Sequence, residues 1–372
     1  MKTTLKILCL ILAAALCLVM TGCQSGESKP AADKEPQADG GAESFEGQVL
    51  NVYNWGEYID KQVIYDFEKQ YKVRVNYTTY ASNEELYTKL MSKVSYDVII
   101  PSDYMIERLI RENMLQKIDK SIVTNLDQLA DSVKGLDFDP DNTWSVPYLW
   151  QTVGIVYDTT KIDPAKVEEK GWEIFRNPEY DSHVYMYDSE RDAFMIAFKA
   201  LGYSMNTENQ EEIEAARDWL RGLDKAVHPA YVTDEVIDSM ANGKKWLALV
   251  YSGDAAYILS ENENMGFCNP AEGTNLAVDA MVIPANAANP KLANIFINYV
   301  LEYENSKRIS EEVGYASSNA RVLEELSSEG GAYYENAAYL PRYGYDKDEM
   351  LHDNETLRRQ LSEMWLKVKL HE

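Results

Sequence analysis

The chain has 372 residues, 45% hydrophobic and 26% charged, a globular composition long enough for two ordinary domains with sizeable cores. Its formal net charge is -25, an acidic balance that argues against nucleic acid as a partner and suits either a cationic ligand or simple solubility. The four histidines, His183, His228, His352 and His371, have no metal-ligand spacing, and neither a Gly-x-Ser-x-Gly elbow nor a Gly-rich phosphate loop is present, so no metal and no cofactor are expected.

At the N-terminus, Lys2 and Lys6 precede an apolar run over residues 7–20, and no acid occurs before Glu27. A basic start and an apolar stretch too short to span a bilayer comfortably predict a signal peptide over residues 1–22. No other stretch is long and apolar enough to cross a membrane. Met20-Thr21-Gly22-Cys23 resembles the lipobox of bacterial lipoproteins, with Met20 where Leu is usual. The resemblance implies a lipidated Cys23 and a membrane anchor. Residues 23–47, rich in Ser, Gly, Pro, Ala and acids, then read as a flexible tether. Of Cys9, Cys17, Cys23 and Cys268, only Cys268 would remain as a free thiol, so no internal disulfide forms and Cys268 is expected as a buried small hydrophobe.

The folded part is expected from Gln48. Leu50–Tyr53 reads as a strand, followed at its end by Trp55, Glu57 and Tyr58 on a Gly-containing turn. Val63, Ile64, Phe67 and Tyr71 share a helical face, and Val73–Tyr77 reads as a second strand. Ser82-Asn83-Glu84-Glu85 is a capping box, with Leu86, Leu90 and Met91 on the apolar face behind it. Asp97–Ile100 reads as a buried strand that runs into Ser102, Asp103 and Tyr104 and then a helix carrying Ile106, Leu109 and Ile110. This β-α-β-α-β-α order predicts a parallel sheet, which binds ligands beyond the carboxyl ends of its strands.

Residues 144–157 read as a strand passing from one domain into another, with Pro147 inside it. A second α/β unit follows from about 160 to 255, with a Phe194/Ala197/Phe198/Leu201 face, a helix near 211–220, and a buried strand at 246–251. That strand ends in Tyr251-Ser252-Gly253-Asp254. Asp279 is expected just before a short strand at 280–283, a helix is expected over 290–301, and the tail from about 315 reads as loop before a last helix with Leu357, Leu361 and Trp365.

These landmarks together resemble the spermidine/putrescine-binding proteins of bacterial ABC importers. The likeness runs over about 48–370 and rests on Tyr53-Asn54-Trp55-Gly56-Glu57-Tyr58, Tyr80-Ala81-Ser82-Asn83-Glu84, Tyr96–Ser102, Pro147-Tyr148-Leu149-Trp150, Leu201-Gly202-Tyr203-Ser204, Tyr251-Ser252-Gly253-Asp254, Ile283–Ala287 and Gly314-Tyr315. It implies an α/β, two-lobed periplasmic-binding-protein-like fold (type II) with several hinge crossovers. The first lobe would hold 48–146 plus 259–312 and the second 147–258 plus 313–372.

The implied ligand residues are Trp55, Glu57, Tyr58, Ser102, Tyr104, Asp192, Tyr251, Asp254 and Asp279, with a looser match at Tyr315 and Ser317. Three positions depart from the pattern. Ser189 replaces a frequent Asp, with Asp188 adjacent. Gln151 replaces Gly after Trp150, and Tyr251 replaces Trp. The implied partners are a polyamine, putrescine or spermidine, and an ABC permease, with the chain acting as a monomer and not as an enzyme.

The residue types suit that ligand. Burying an ammonium is costly unless it meets a carboxylate, and a ring face favours a cation by up to about 2 kcal/mol once desolvated. Asp254, Asp279, Asp192 and Glu57 offer the acids, and Trp55, Tyr58, Tyr104 and Tyr251 the rings. The residues alone leave open a different small cation or solute on the same fold, a sensory subunit without a transporter, and an extracellular hydrolase.

Overall fold

The computed structural model describes residues 45–371. The expected signal peptide, the lipidated Cys23 and most of the tether lie outside the described residues. Phe45, expected in the tether, is instead buried against the first core, so the ordered fold begins before Gln48.

Three βα units open the fold: β1 (Val49–Trp55), α1 (Lys61–Tyr71), β2 (Arg74–Tyr80), α2 (Asn83–Met91), β3 (Val98–Ile99) and α3 (Asp103–Arg111). As the periodicity predicts, β1 pairs in parallel with β2 on one side and β3 on the other. After β4 (Leu115–Gln116) and the long β5 (Ser145–Asp158), a second α/β half is built from α4 (Pro164–Lys170), β6 (Val184–Tyr187), α5 (Glu190–Ala200) and α6 (Gln210–Val227). It continues through β7 (Ala230–Val232), α7 (Glu235–Ala241), β8 (Leu247–Tyr251), α8 (Ser252–Glu261) and β9 (Met265–Cys268). The chain then forms β10 (Leu276–Pro284), α9 (Pro290–Leu301), α10 (Tyr303–Val313), β11 (Ala316–Ser317), α11 (Ala320–Ser327) and α12 (Glu355–Lys369).

The strands run β2-β1-β3-β10-β5-β8-β6-β7, with β4 on β10 and with β9 and β11 on β5. Two parallel halves are thus joined by antiparallel β10 and β5. Residues 145–152 of β5 pair with β10, and residues 153–157 pair with β8. One strand serves both halves because almost all of its 14 residues are buried, the continuous apolar run that a strand covered on both faces requires. Opposite Pro147, which has no N–H to give, the β10 register shifts between Asp279 and Ala280. A bulge of this kind re-aims side chains.

Two large cores flank this shared strand. The first gathers Leu50, Phe67, Trp150 and Phe296, and the second Trp172, Phe175, Phe194, Phe198 and Trp219. A smaller cluster around Tyr53, Leu86 and Ile106 covers the other face of the first half. The helices start where local chemistry dictates. Ser82 accepts from the Glu85 N–H at the start of α2, and Asp60 accepts from the Gln62 N–H at the start of α1.

Several elements depart from the sequence reading. Met91 is exposed, because it lies about 140° around the helix from Leu86. Asp279 sits inside β10, not before it. Residues 320–327 are helical where loop was expected, capped by Asn319, which accepts from the Arg321 and Val322 N–H groups. Met265–Cys268 pairs with β5 beside the second core, although 259–312 was assigned to the first lobe. Cys268 is half-buried at this edge, not fully buried, and burial raises its thiol to about 11.

Phe67 is fully buried and meets Phe296 edge-on at 5.0 Å. Phe67→Ala is expected to destabilise the protein by about 3–5 kcal/mol, read from the midpoint of urea unfolding. A loss under about 1 kcal/mol would show that this core collapses around the vacancy.

Candidate functional site

Trp55, Ser102, Tyr187 and Tyr251 lie at or just beyond the carboxyl ends of β1, β3, β6 and β8, and Asp279 lies in β10 at its register shift with β5. Asp279 is buried and accepts two short hydrogen bonds, from Ser102 Oγ at 2.6 Å and from Tyr58 Oη at 2.7 Å. Ser102 occupies the N-cap of α3 but makes no side-chain cap. Its hydroxyl is turned to Asp279, and the backbones of the two residues form an isolated bridge. Tyr58 is fixed by its neighbours: Tyr148 Oη donates to the Tyr58 carbonyl at 2.6 Å, and the Tyr148 and Tyr315 rings meet it edge-on.

The Tyr315 ring lies 5.1 Å from that of Tyr58, and its hydroxyl donates to Asp254 at 2.8 Å. Tyr187 donates to the other oxygen of Asp254 at 2.8 Å. Gly253 makes this seat possible, since a Cβ there would lie 2.1 Å from the Tyr315 ring. Gly314, with φ of +76°, brings the chain back against the Gly253 carbonyl. Tyr187 also stacks on Tyr251 at 4.6 Å, and Tyr251 donates to Asp192 at 2.7 Å. Asp192 lies in the first turn of α5, its N–H donating to Ser189 Oγ.

A continuous chain therefore runs from Ser102 through Asp279, Tyr58, Tyr315, Asp254, Tyr187 and Tyr251 to Asp192. Trp55, Ser102, Tyr104, Tyr251 and Asp254 keep part of their surface accessible, whereas Tyr58, Asp192 and Asp279 are buried. Asp254 keeps that accessible surface while enclosed deeply enough for desolvation to dominate its titration. Burial raises Asp254 and Asp279 to about 6, against the hydroxyls that pull them down, and raises Asp192 as well. Among the described residues, neither Asp254 nor Asp279 has a cationic partner.

Of the nine expected ligand residues, Tyr58, Ser102, Tyr251, Asp192, Asp254 and Asp279 join this chain. Trp55 stands at its edge, tilted against Tyr80 at 4.6 Å with its indole Nε1 buried and unpartnered. Tyr104 borders the cluster, but its ring face is covered by the Arg191 guanidinium at 4.2 Å and its hydroxyl accepts from Asn83 at 2.9 Å. Glu57 does not join. The turn holds it at φ 44°, exposed to solvent. Asp188 is exposed and turned to Lys369 and Trp365, while Ser189 caps α5. Ser317 pairs with Ser306 within the first core and is not part of the cluster.

Sequence reasoning missed Tyr187, Asn83, Asp103 and Arg191. Tyr187 ends a strand as Tyr251 does, and that parallel was the available signal. Asp103 carried no such signal. It is buried, its carboxylate accepts from the Tyr104 and Val278 N–H groups, and burial together with nearby Asp279 raises it to about 8. Two cavities, of about 840 and 450 Å³, share no lining residue with the cluster. In the unliganded protein, carbon-detected NMR of the aspartate carboxyls is expected to show Asp254 and Asp279 titrating near 6. Midpoints near 4 for both would contradict the enclosure described.

A profile of the bacterial extracellular solute-binding proteins matches residues 62–338. A spermidine/putrescine-binding periplasmic protein of Salmonella typhimurium is 34% identical over 77% of this chain and 82% of its own length. The solved spermidine/putrescine ABC transporter substrate-binding protein of Streptococcus pneumoniae is 32% identical, covering 87% of this chain and 99% of its own, with a TM-score of 0.73. A Treponema pallidum lipoprotein structure is 26% identical, covering 86% and 99%, with a TM-score of 0.73. The two-lobed α/β architecture of type II periplasmic binding proteins accounts for the parallel halves, the shared β5 and the acids at the strand ends. This chain belongs to the bacterial extracellular solute-binding protein family.

Proposed function

We propose that the chain is a monomeric, lipid-anchored receptor that captures a polyamine, putrescine or spermidine, between two lobes and hands it to the permease of an ABC importer. The observation that carries this reading is the pair of enclosed carboxylates, Asp254 and Asp279, with tyrosine hydroxyls around them and no cationic side chain against them among the described residues. Charges held this way are costly until a cation arrives. An ammonium group supplies the missing charge, and the neighbouring rings cover its methylenes. Each carboxylate oxygen has two lone pairs, so the tyrosine bonds persist when an ammonium binds. The names of the relatives support a polyamine, and the Treponema lipoprotein supports the anchor implied by Met20-Thr21-Gly22-Cys23.

The lobes are built on the two cores, with hinge crossings at β5, between β9 and β10, and around residues 313–317. The pairing of β9 with β5 beside the second core supports counting it with the second lobe. Because the acids are enclosed, ligand entry needs the lobes to part, and closure over the ligand restores the contacts seen here. The chain makes and breaks no covalent bond.

Calorimetry of the mature protein, refolded after denaturation to strip bound ligand, is expected to show about micromolar or tighter binding of putrescine, cadaverine, spermidine or spermine. Absence of both heat and thermal shift with all four would overturn the reading. Asp254→Asn is expected to lose at least about 2 kcal/mol of affinity with little change in melting temperature. Unchanged affinity would remove Asp254 from the site.

The raised carboxyls set a pH dependence. Amine ligands remain cationic up to about pH 10, and they bind the ionised acids. Affinity is therefore full above about pH 7 and falls as the pH drops through about 6, where Asp254 and Asp279 take up protons. Titrations at pH 5 and 7.5 check this sign; tighter binding at pH 5 would contradict it.

A further inference from the structure

β5 is the strand that both halves share, and of its 14 residues only Gln151 keeps accessible surface. It stands where the strand changes partner, since residues 145–152 pair with β10 and residues 153–157 with β8. Residues paired across an antiparallel ladder project to the same face, and so do alternate residues of one strand. Leu149 pairs with Asp279, Gln151 with Ala277, and Val153 with Tyr251. Asp279, Gln151 and Tyr251 therefore share one face of the sheet. Gln151 is about 7 Å along β5 from Leu149, beside Asp279, and about the same from Val153, beside Tyr251. It lies between the Asp279 end of the cluster and the end where Tyr251 meets Asp192.

Asp279 and Tyr251 have their hydrogen bonds within the protein. Gln151 differs: its Oε1 is shut from water and accepts no hydrogen bond among the described residues. An amide oxygen taken out of water without a donor is costly, and native folds seldom keep one without a use. The sheet does not need it, because β5 pairs through its backbone and a shorter side chain would leave the ladder intact. Trp150 and Thr152, on the opposite face, are buried, and the Trp150 indole donates to the Ser317 carbonyl. Gln151 is also a departure from the Gly expected after Trp150, so the amide is something this chain adds to that face. A primary ammonium carries three N–H groups. One carboxylate oxygen takes one of them in line, and the others need further acceptors.

We propose that Gln151 is a ligand-contacting residue, whose side-chain carbonyl accepts an N–H from an ammonium group of the bound amine between Asp279 and Tyr251. This rests on the polyamine reading above and adds to its acids and rings a neutral acceptor on the shared strand. An amide that only filled the crossing between the halves would make a different prediction. Its removal would lower stability and leave affinity alone. Removal of a ligand acceptor does the reverse. The free protein loses a buried group that has no partner, so its stability holds or rises, while the bound amine loses a hydrogen bond.

The test is calorimetry of putrescine and spermidine on the wild-type protein and on Gln151→Leu, which keeps the bulk and removes the acceptor, with a thermal melt of each unliganded protein. Gln151→Leu is expected to bind the tighter of the two ligands about tenfold more weakly, the equivalent of ~1.4 kcal/mol, with its melting temperature unchanged or raised. Unchanged affinity, or a lowered melting temperature, would overturn the assignment and leave the polyamine reading standing. Carbon-detected NMR of the wild type gives a second measurement that needs no variant. The Gln151 side-chain carbonyl resonance is expected to move as the tighter ligand saturates the protein, and a resonance that stays in place would overturn the assignment. Failure of the wild type to bind any polyamine would overturn both readings.

Discussion

Two enclosed carboxylates without a counter-charge among the described residues, Asp254 and Asp279, impose the arrangement around them. An ionised acid shut away from water costs several kcal/mol unless donors surround it, and the fold answers with hydroxyls. Tyr58 and Ser102 donate to Asp279, and Tyr187 and Tyr315 donate to Asp254. Hydroxyls soften the cost without cancelling the charge. Both acids therefore stay raised, to about 6, and the site is poised to accept a cation.

The scaffold is shaped to hold these donors in place. Ser102 gives up the usual N-cap bond of α3 in order to reach Asp279. The β5–β10 register shifts at Asp279, where Tyr148 of β5 is passed over, and Gly253 clears room for the Tyr315 ring. Each feature sacrifices some local regularity at a strand end or helix start. Those are the places where parallel α/β sheets leave backbone and side chains free for ligands. β5 belongs to both halves, so movement between the halves must bend that strand or the segments beside it.

The electrostatics of the cleft are asymmetric for the same reason. α5 brings one guanidinium with it, and that group meets Glu84 and Tyr104 from the opposite half. One guanidinium thus meets Glu84 at one end of the cleft, while Asp192, Asp254 and Asp279 are held by hydroxyls. Rings and acids stand together in the cleft with that one guanidinium among them.

The sequence by itself determined the α/β order, the parallel first sheet, the long crossing strand and most of the acids. These follow from patterns a few residues long: apolar runs, period-matched helical faces, and polar clusters at predicted strand ends. The resemblance added the two lobes and, to the residues already read at strand ends, Asp192 and Tyr315, which join them in space. Only the tertiary structure decided that Glu57 is exposed to solvent, since a positive φ in a turn is not legible from residue types. It also decided that Tyr104 already carries Arg191, and that Tyr187, Asn83 and Asp103 join the site. Those contacts link residues dozens to hundreds of positions apart, on elements whose relative placement depends on how β5 and β10 pair. Local pattern fixes which elements form. Which charges meet is settled when the elements pack, because the cost of a buried acid depends on all its neighbours at once.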